Sequence, residues 1–148
     1  MQLRDVHADD LEAFFEHQID AAAVAMAAFP PRDREAFMTH WACVLEHPGN
    51  STWTVLVAGE VAGYVACFPQ HGGLNVGYWL GRAFWGRGIA TAALAQLLRQ
   101  VPARPLFARV AEHNVGSRRV LEKCGFVQIE TVPPGAEDDV TELLFRID

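Results

Sequence analysis

The stretch that decides the fold runs from residue 77 to residue 98 and reads GYWLGRAFWGRGIATAALAQLL. Its first part ends a β-rich run, Leu74–Leu80, and its last part opens an amphipathic helix from about Gly88 to Val101. A second β-rich run, Leu106–Val110, follows after two prolines. A strand–helix–strand unit of this kind joins two parallel strands by a right-handed crossover. We therefore expect a ligand crevice at the carboxyl ends of these two strands.

Before this unit, the sequence predicts one strand and two helices. Leu3–Val6 is a short strand candidate, and Asp9-Asp10 is a good helix start for the apolar residues that follow at helical spacing. Pro30-Pro31 ends this first helical region and opens a second helix. The buried side of the second helix is predicted to carry Phe37, Trp41, Val44 and Leu45.

The remaining strands are placed by β-rich runs and glycine turns. Thr52–Ala58 and Val61–Cys67 are joined by Gly59-Glu60, a two-residue loop typical of a type II′ hairpin, and Leu74–Leu80 completes the meander. The last helix, the last two strands and the acidic loop between those strands are predicted at Gly116–Cys124, Phe126–Val132, Thr141–Ile147 and Pro133–Asp139. The order β-α-α-β-β-β-α-β-α-β-β predicts an α/β fold with a mixed sheet, helices on both faces and one domain over residues 1–148.

The bulk composition limits the classes of function. The 148 residues carry a formal net charge of -6, which argues against non-specific nucleic-acid binding and suits a cationic partner such as an amine. No apolar run reaches the ~20 residues that span a bilayer, and the N-terminus does not resemble a signal peptide. Three cysteines without close pairs, Cys43, Cys67 and Cys124, favour reduced thiols and a cytoplasmic location.

The glycine turn meets the physical requirements of a pyrophosphate cradle. Residues without side chains let the backbone approach a ligand, and the first N–H groups of the helix point at it with the positive end of the helix dipole behind them. A P-loop would need lysine and Ser/Thr where this chain has Arg87 and Gly88. A dinucleotide fingerprint would need a third glycine near Thr91. Both of these cradles are therefore excluded.

A third comparison succeeds. Trp85-Gly86-Arg87-Gly88-Ile89-Ala90 resembles the acetyl-coenzyme A turn of the GNAT superfamily of N-acetyltransferases, with Gly88 and Ala90 at its two small positions. Trp85 stands where Gln or Arg is usual, as in the branch related to ribosomal-protein N-terminal (serine/alanine) acetyltransferases. Gly77-Tyr78-Trp79-Leu80 looks like that branch, and the segment from Asn114 to Phe126 reads like its second motif. The resemblance implies a GNAT-type acyl-CoA N-acyltransferase fold and transfer of an acetyl group from acetyl-CoA to a primary amine in a ternary complex.

The resemblance also implies which residues bind acetyl-CoA. Backbone N–H groups around Tyr78, Trp79 and Leu80 would hold the acetyl group and the pantetheine arm. The pyrophosphate is expected in the glycine turn and the first helical turn, at Gly86, Arg87, Gly88, Ile89, Ala90 and Thr91. Asn114 would be a further coenzyme A contact; its local alternative is a helix N-cap, and the two roles are compatible. Arg82 is either a phosphate contact or a surface charge.

Ser117 is the candidate for the proton donor. Many GNAT enzymes use a tyrosine seven residues after the asparagine, but here that position is Leu121. In the resembling branch, a serine at the position of Ser117 is thought to protonate the leaving thiolate; the alternative is a residue that supports only the first helical turn. The general base is left open among Glu112, His113, His71 and a water relay.

Other readings of the chain remain to be tested. His40, Cys43 and His47 share a helical face, but a fourth ligand is not obvious, so we expect no metal site. The acceptor is left open between a peptide amine and a small molecule. We expect no nucleic-acid or membrane partner, and the oligomeric state is left open, with a homodimer as one alternative. The rival functions are an acyl-CoA-binding regulatory module without catalysis and a purely structural domain.

Overall fold

The computed structural model describes residues 1–28, 30–135 and 140–148. These residues form one sheet in the order β1-β2-β3-β4-β5-β7-β6, which is antiparallel except for the pair β4–β5. The strands are β1 Gln2–Asp5, β2 Ser51–Val57, β3 Glu60–Gln70, β4 Gly73–Leu80, β5 Leu106–Ala111, β6 Val127–Val132 and β7 Glu142–Ile147. The helices are α1 Leu11–Ile19, α2 Ala21–Ala27, α3 Arg34–Glu46, α4 Ile89–Gln100 and α5 Val115–Lys123.

The predicted mixed sheet is confirmed, but the predicted order is one helix short. The first helical region is two helices, because Asp20 has an extended backbone and its carboxylate accepts a hydrogen bond of 3.0 Å from the N–H of Ala23. Asp20 is therefore the N-cap of α2, and the chain changes direction there. Residues 136–139 of the predicted loop Pro133–Asp139 lie outside the described residues.

Two local predictions were wrong. The loop between β2 and β3 is Ala58-Gly59 with φ of 51° and 80°, which is the type I′ pattern rather than type II′ at Gly59-Glu60. Because β2 ends at Val57 and β3 already begins at Glu60, the two loop residues are Ala58 and Gly59, and both have the positive φ that a type I′ turn requires. Leu45, predicted to be buried, is 41% exposed because it lies in the last turn of α3, away from the aromatic cluster that covers Phe37 and Trp41.

Helices cover both faces of the sheet, as predicted. On the α4–α5 face, these helices pack over the larger core, which holds Val65 of β3 and Phe145 of β7. On the α1–α3 face, Tyr64 of β3 packs against an aromatic cluster with ring centroids 4.8–5.6 Å apart in the closest pairs. The cluster consists of Phe14, Phe15, Phe37 and Trp41.

The parallel strands β4 and β5 part soon after they meet. In the described chain they pair at Leu74–Leu106 and at Asn75–Phe107, and no pairing follows toward their carboxyl ends. β4 continues to Leu80 along β3, and β5 continues to Ala111 along β7. The two halves of the sheet are thus held separately, and a fork opens at the position predicted for the crevice.

Asp10 ties the first strand to the second. Its carboxylate accepts two hydrogen bonds from the Arg4 guanidinium, at 2.6 and 2.8 Å, one from the Thr54 hydroxyl at 2.7 Å and one from the His7 N–H at 2.9 Å. Burial of Asp10 raises its pKa, but these four donors together hold the pKa well below its usual range. The charged form is therefore the one that the fold stabilises.

We expect Asp10→Asn to lower the free energy of unfolding by about 2–4 kcal/mol at neutral pH. Because the folded-state pKa is depressed, this stabilisation is complete above the unfolded pKa of about 3.9 and is lost as the pH falls toward the folded value. Urea unfolding at pH 7 and pH 3.5 measures the gap between the two proteins, which should narrow in acid. Glu12→Gln, which removes an exposed pair with Arg34, is the control and should change stability little.

Candidate active site

A cavity of about 380 Å³ lies at the fork. Its walls come from the end of β4, the turn before α4, the start of α5 and the end of α2. The structure brings almost every sequence-predicted site residue to this cavity: Tyr78, Trp79, Leu80, Gly86, Gly88, Ile89, Ala90, Thr91, Asn114 and Ser117. Arg87 is not among the lining residues; its guanidinium lies 5.6 Å from the ring centroid of Phe84.

The start of α4 presents backbone N–H groups to the cavity. Gly86 and Gly88 have φ of 71° and 74°, which an L side chain rarely adopts. Gly88 is the N-cap residue and has no side chain to accept a hydrogen bond; the first helical bond runs from Ala92 N–H to Gly88 C=O. The N–H groups of Ile89, Ala90 and Thr91 are therefore not bonded within the helix, and they stand at the positive end of its dipole.

Asn114 begins α5, as its N-cap reading predicted. Its side-chain Oδ1 accepts a hydrogen bond of 3.2 Å from the Ser117 N–H. The side-chain NH₂ has no hydrogen-bond partner among the described residues and remains able to donate to a ligand in the cavity. The cap and a ligand contact are thus geometrically compatible.

Two hydroxyl groups lie together on the α4–α5 side of the cavity. Ser117 is half-buried in the first turn of α5, and the Tyr78 hydroxyl donates a hydrogen bond of 3.3 Å to the Ser117 carbonyl oxygen. Burial raises the pKa of Tyr78 to about 12, so its hydroxyl stays protonated at neutral pH. Sequence reasoning assigned only the backbone of Tyr78 to the site and missed this hydroxyl.

The cavity also carries basic residues that sequence reasoning did not assign. Arg119 and Lys123 of α5 line it, so this part of an acidic protein is locally positive. Arg82 instead forms an ion pair with Asp20 at 3.2 Å, which favours its reading as a surface charge. A spacing of four residues on one helix was the available signal for Arg119 and Lys123.

The cavity passes through the fork to the α1–α3 face. Tyr78 and Leu80 face the α4–α5 core, whereas Trp79 points the other way and donates from Nε1 to the His17 carbonyl oxygen at 3.3 Å. Met26 and Ala27 of α2 line the cavity on that side. A ligand on one face can therefore reach a ligand on the other through the gap between β4 and β5.

The three base candidates do not line the cavity. His71 was predicted near the crevice, but it precedes β4 while the cavity lies at the far end of that strand, about 25 Å along the chain. His113 Nε2 lies 2.9 Å from the Ala25 carbonyl oxygen. Glu112 is exposed, and its carbonyl oxygen accepts a hydrogen bond from Arg118.

The residues that the structure describes also bear on two other kinds of site. No three or more His, Cys, Asp or Glu side chains lie together so that they could hold a metal ion, and His47 Nδ1 accepts a hydrogen bond from the Gly49 N–H at 3.0 Å. Within the same residues, no helix has the length and apolar character that crossing a membrane requires.

Comparison with known proteins identifies the family. A family model described as an acetyltransferase (GNAT) domain matches residues 1–127. The chain belongs to the GNAT family of acetyltransferases. The resemblance seen in the two motifs is thereby confirmed. No curated protein matches the sequence closely enough to count as a relative.

Solved structures show the same fold at low identity. A ribosomal-protein-alanine N-acetyltransferase from Brucella melitensis superposes with a TM-score of 0.84 at 19% identity over 99% of both chains. A spermidine N-acetyltransferase from Vibrio cholerae, in complex with CoA and spermine, superposes with a TM-score of 0.84 at 13% identity, over 99% of this chain and 94% of its own. A GNAT-family acetyltransferase from Bacillus anthracis superposes with a TM-score of 0.80 at 18% identity, over 98% of this chain and 92% of its own. These three solved structures therefore share the fold of this chain.

We expect Tyr78→Phe to lower the free energy of unfolding by about 1 kcal/mol, because it removes the hydrogen bond that joins β4 to α5. Urea unfolding measures this change. Tyr64→Phe is the matched control: its hydroxyl makes no hydrogen bond with the described residues, so stability should hardly change. The chain has two tyrosines, and each variant leaves one whose ultraviolet titration should show a pKa near 12. Ionisation of either near 10 would contradict the burial described here.

Proposed function

We propose that this protein transfers the acetyl group of acetyl-CoA to a primary amine, directly and within a ternary complex. The observation that supports this most is the cavity that passes through the fork of β4 and β5. One side of it offers backbone N–H groups, hydroxyls and basic side chains, and the other side offers Trp79, Met26 and Ala27. Two substrates could thus meet at the gap without a covalent acetyl-enzyme.

Binding of acetyl-CoA would use the polar side of the cavity. The N–H groups of Ile89, Ala90 and Thr91 suit the pyrophosphate, because they are unbonded in the helix and lie at the positive end of its dipole. Arg119 and Lys123 add charge that opposes the net negative charge of the protein. Beyond Asn75 the edge of β4 that faces away from β3 has no strand partner among the described residues, although the Leu80 C=O on that edge accepts a hydrogen bond of 3.0 Å from the Trp85 indole. An extended pantetheine arm could bond the rest of this edge as a strand would.

The chemistry requires that protons move as the acetyl group is transferred. Acetyl-CoA supplies an activated acetyl thioester. An alkyl amine titrates near ~10.4, so its ammonium must lose a proton before the nitrogen attacks the thioester carbonyl. The C–N bond forms, the C–S bond breaks, and the electron pair stays on sulfur. Ser117 would give its hydroxyl proton to this thiolate and take one of the two protons that the amine loses; the other goes to water.

A catalytically silent acyl-CoA-binding module is the second candidate. It is favoured by one observation, which is that Glu112, His113 and His71 all lie outside the cavity lining. A thermal-shift titration followed by a thiol-release screen with amines separates the candidates. Acetyl-CoA at 100 times its dissociation constant should stabilise the fold by about 2.7 kcal/mol in both cases. Thiol release with any amine supports the enzyme, and binding without release supports the silent module.

Substitution of Gly88 tests the pyrophosphate site. We expect Gly88→Ala to raise the dissociation constant of acetyl-CoA about tenfold or more, because the strained turn would misdirect the N–H groups of α4. Gly59→Ala is the matched control: its φ is also strongly positive and its position is open, but it lies in the β2–β3 hairpin. Calorimetry should show weakened binding for the first variant only, although both lose stability. Equal affinity in the two variants would contradict the assignment.

Substitution of Ser117 tests the proton donor. We expect Ser117→Ala to lower the turnover about 10²–10⁴-fold while acetyl-CoA affinity barely changes, because the hydroxyl acts when the thiolate leaves. Ser51→Ala, at the exposed start of β2, is the control and should keep full turnover. Weaker binding with normal turnover would reduce Ser117 to a binding residue. If turnover falls further in Tyr78→Phe than in Ser117→Ala, the proton donor is the Tyr78 hydroxyl.

A further inference from the structure

Arg109, in the middle of β5, is a cation that makes no hydrogen bond or ion pair with any residue the structure describes. Its neighbours Ala108 and Val110 are buried in the core of the α4–α5 face, so strand alternation directs Arg109 to the α1–α3 face. Its Nε is buried and has no hydrogen-bond partner, and its guanidinium makes no hydrogen bond or ion pair with any described residue. An unpaired buried donor on a permanent charge is costly, which makes it unusual in a native fold.

Arg109 lies beside the fork. Pairing of β4 with β5 ends at Asn75–Phe107, and two residues further along each strand are Gly77 and Arg109. Gly77 has no side chain to reach toward Arg109, and the ring of Phe68 packs over it, 3.2 Å from where a Cβ would lie. Two residues beyond Gly77 is Trp79, which lines the cavity. Arg109 thus follows the last β4–β5 pair by the same two residues as Gly77, which precedes Trp79 by about 7 Å along β4, and Arg109 is not itself a lining residue of the cavity.

We propose that Arg109 binds a carboxylate carried by the amine acceptor, so that the substrate class is amines that also carry a carboxylate, such as amino acids. This inference rests on the proposed function. The guanidinium is planar and stays charged at every physiological pH, and its paired N–H groups match the two oxygens of a carboxylate. A bound carboxylate would give the guanidinium, a donor group without a partner among the described residues, a charge and hydrogen-bond partner, and it would hold the amine end of the acceptor toward Trp79 and the fork. An acceptor without an anionic group would leave that donor unsatisfied.

Calorimetry on the CoA-loaded protein tests the inference without requiring turnover. The probes are three amino acids and the amines that lack their carboxylate: phenylalanine and phenethylamine, leucine and isoamylamine, lysine and 1,5-diaminopentane. We expect at least one amino acid to bind about tenfold to hundredfold more tightly than its amine. Arg109→Gln should abolish this preference, and Arg109→Lys should restore part of it. Arg146→Gln, on the same face but bonded to Asp148, is the matched control and should keep it.

Two further readouts separate binding from structure. Arg109→Gln should leave acetyl-CoA affinity unchanged and should not lower the melting temperature, because it removes an unpaired buried group rather than a contact. If the role of Arg109 were purely structural, the melting temperature would fall in both Arg109→Gln and Arg109→Lys. The inference is overturned if no amino acid of the panel binds, or if the preference persists in Arg109→Gln.

A thiol-release assay distinguishes failure of this inference from failure of the proposed function. If amines with and without a carboxylate are acetylated at equal rates, and Arg109→Gln does not change those rates, the role of Arg109 is overturned and the transferase function stands. Arg109-dependent binding of an amino acid without thiol release overturns the transferase and supports the carboxylate site.

Discussion

The structure depends on the point at which β4 and β5 stop pairing. After two paired positions, each strand is held by a different neighbour, β4 by β3 along its whole length and β5 by β7 along six residues. Backbone polar groups on the facing edges of a fork lack the partners that a continuous sheet provides. The gap is therefore a natural place for an extended ligand that hydrogen-bonds like a strand. The cavity, the glycine turn and the start of α5 are all arranged around this gap.

Side-chain contacts keep the fork in shape from both faces. On the α4–α5 face, the Tyr78 hydroxyl binds the backbone of α5; on the opposite face, the Trp79 indole binds the backbone of α1. Consecutive residues of one strand thus anchor β4 to helices on opposite sides. Gly81 follows at once, and a Cβ there would lie 2.7 Å from the imidazole of His17, so this corner admits only glycine without rearrangement. Burial lowers the pKa of His17, which keeps the packed imidazole neutral at neutral pH.

Electrostatics separate the two ends of the cavity. The chain is acidic overall, yet the cavity carries Arg119 and Lys123 together with the positive end of the α4 dipole. A polyanionic ligand would therefore be drawn to one end of an otherwise acidic molecule. The α1–α3 end carries aromatic and aliphatic groups, and Arg109 is the unpaired charge beside it within the described residues. This division suits two ligands of different character.

The sequence by itself determined the strands, the glycine turn and the start of α5, because each depends on residues close together in the chain. Gly88 begins the predicted helix as its N-cap residue, and Asn114 caps α5 through a residue three positions away. The same local reasoning missed the break at Asp20, and it misplaced the hairpin loop, where a shift of one residue changes the turn type. Only the tertiary structure decided which distant groups meet. The bonds from Tyr78 to Ser117 and from Trp79 to His17 join residues 39 and 62 positions apart. The isolation of Arg109 likewise follows from where strand pairing stops, and hydrophobic periodicity in one strand carries no information about that point.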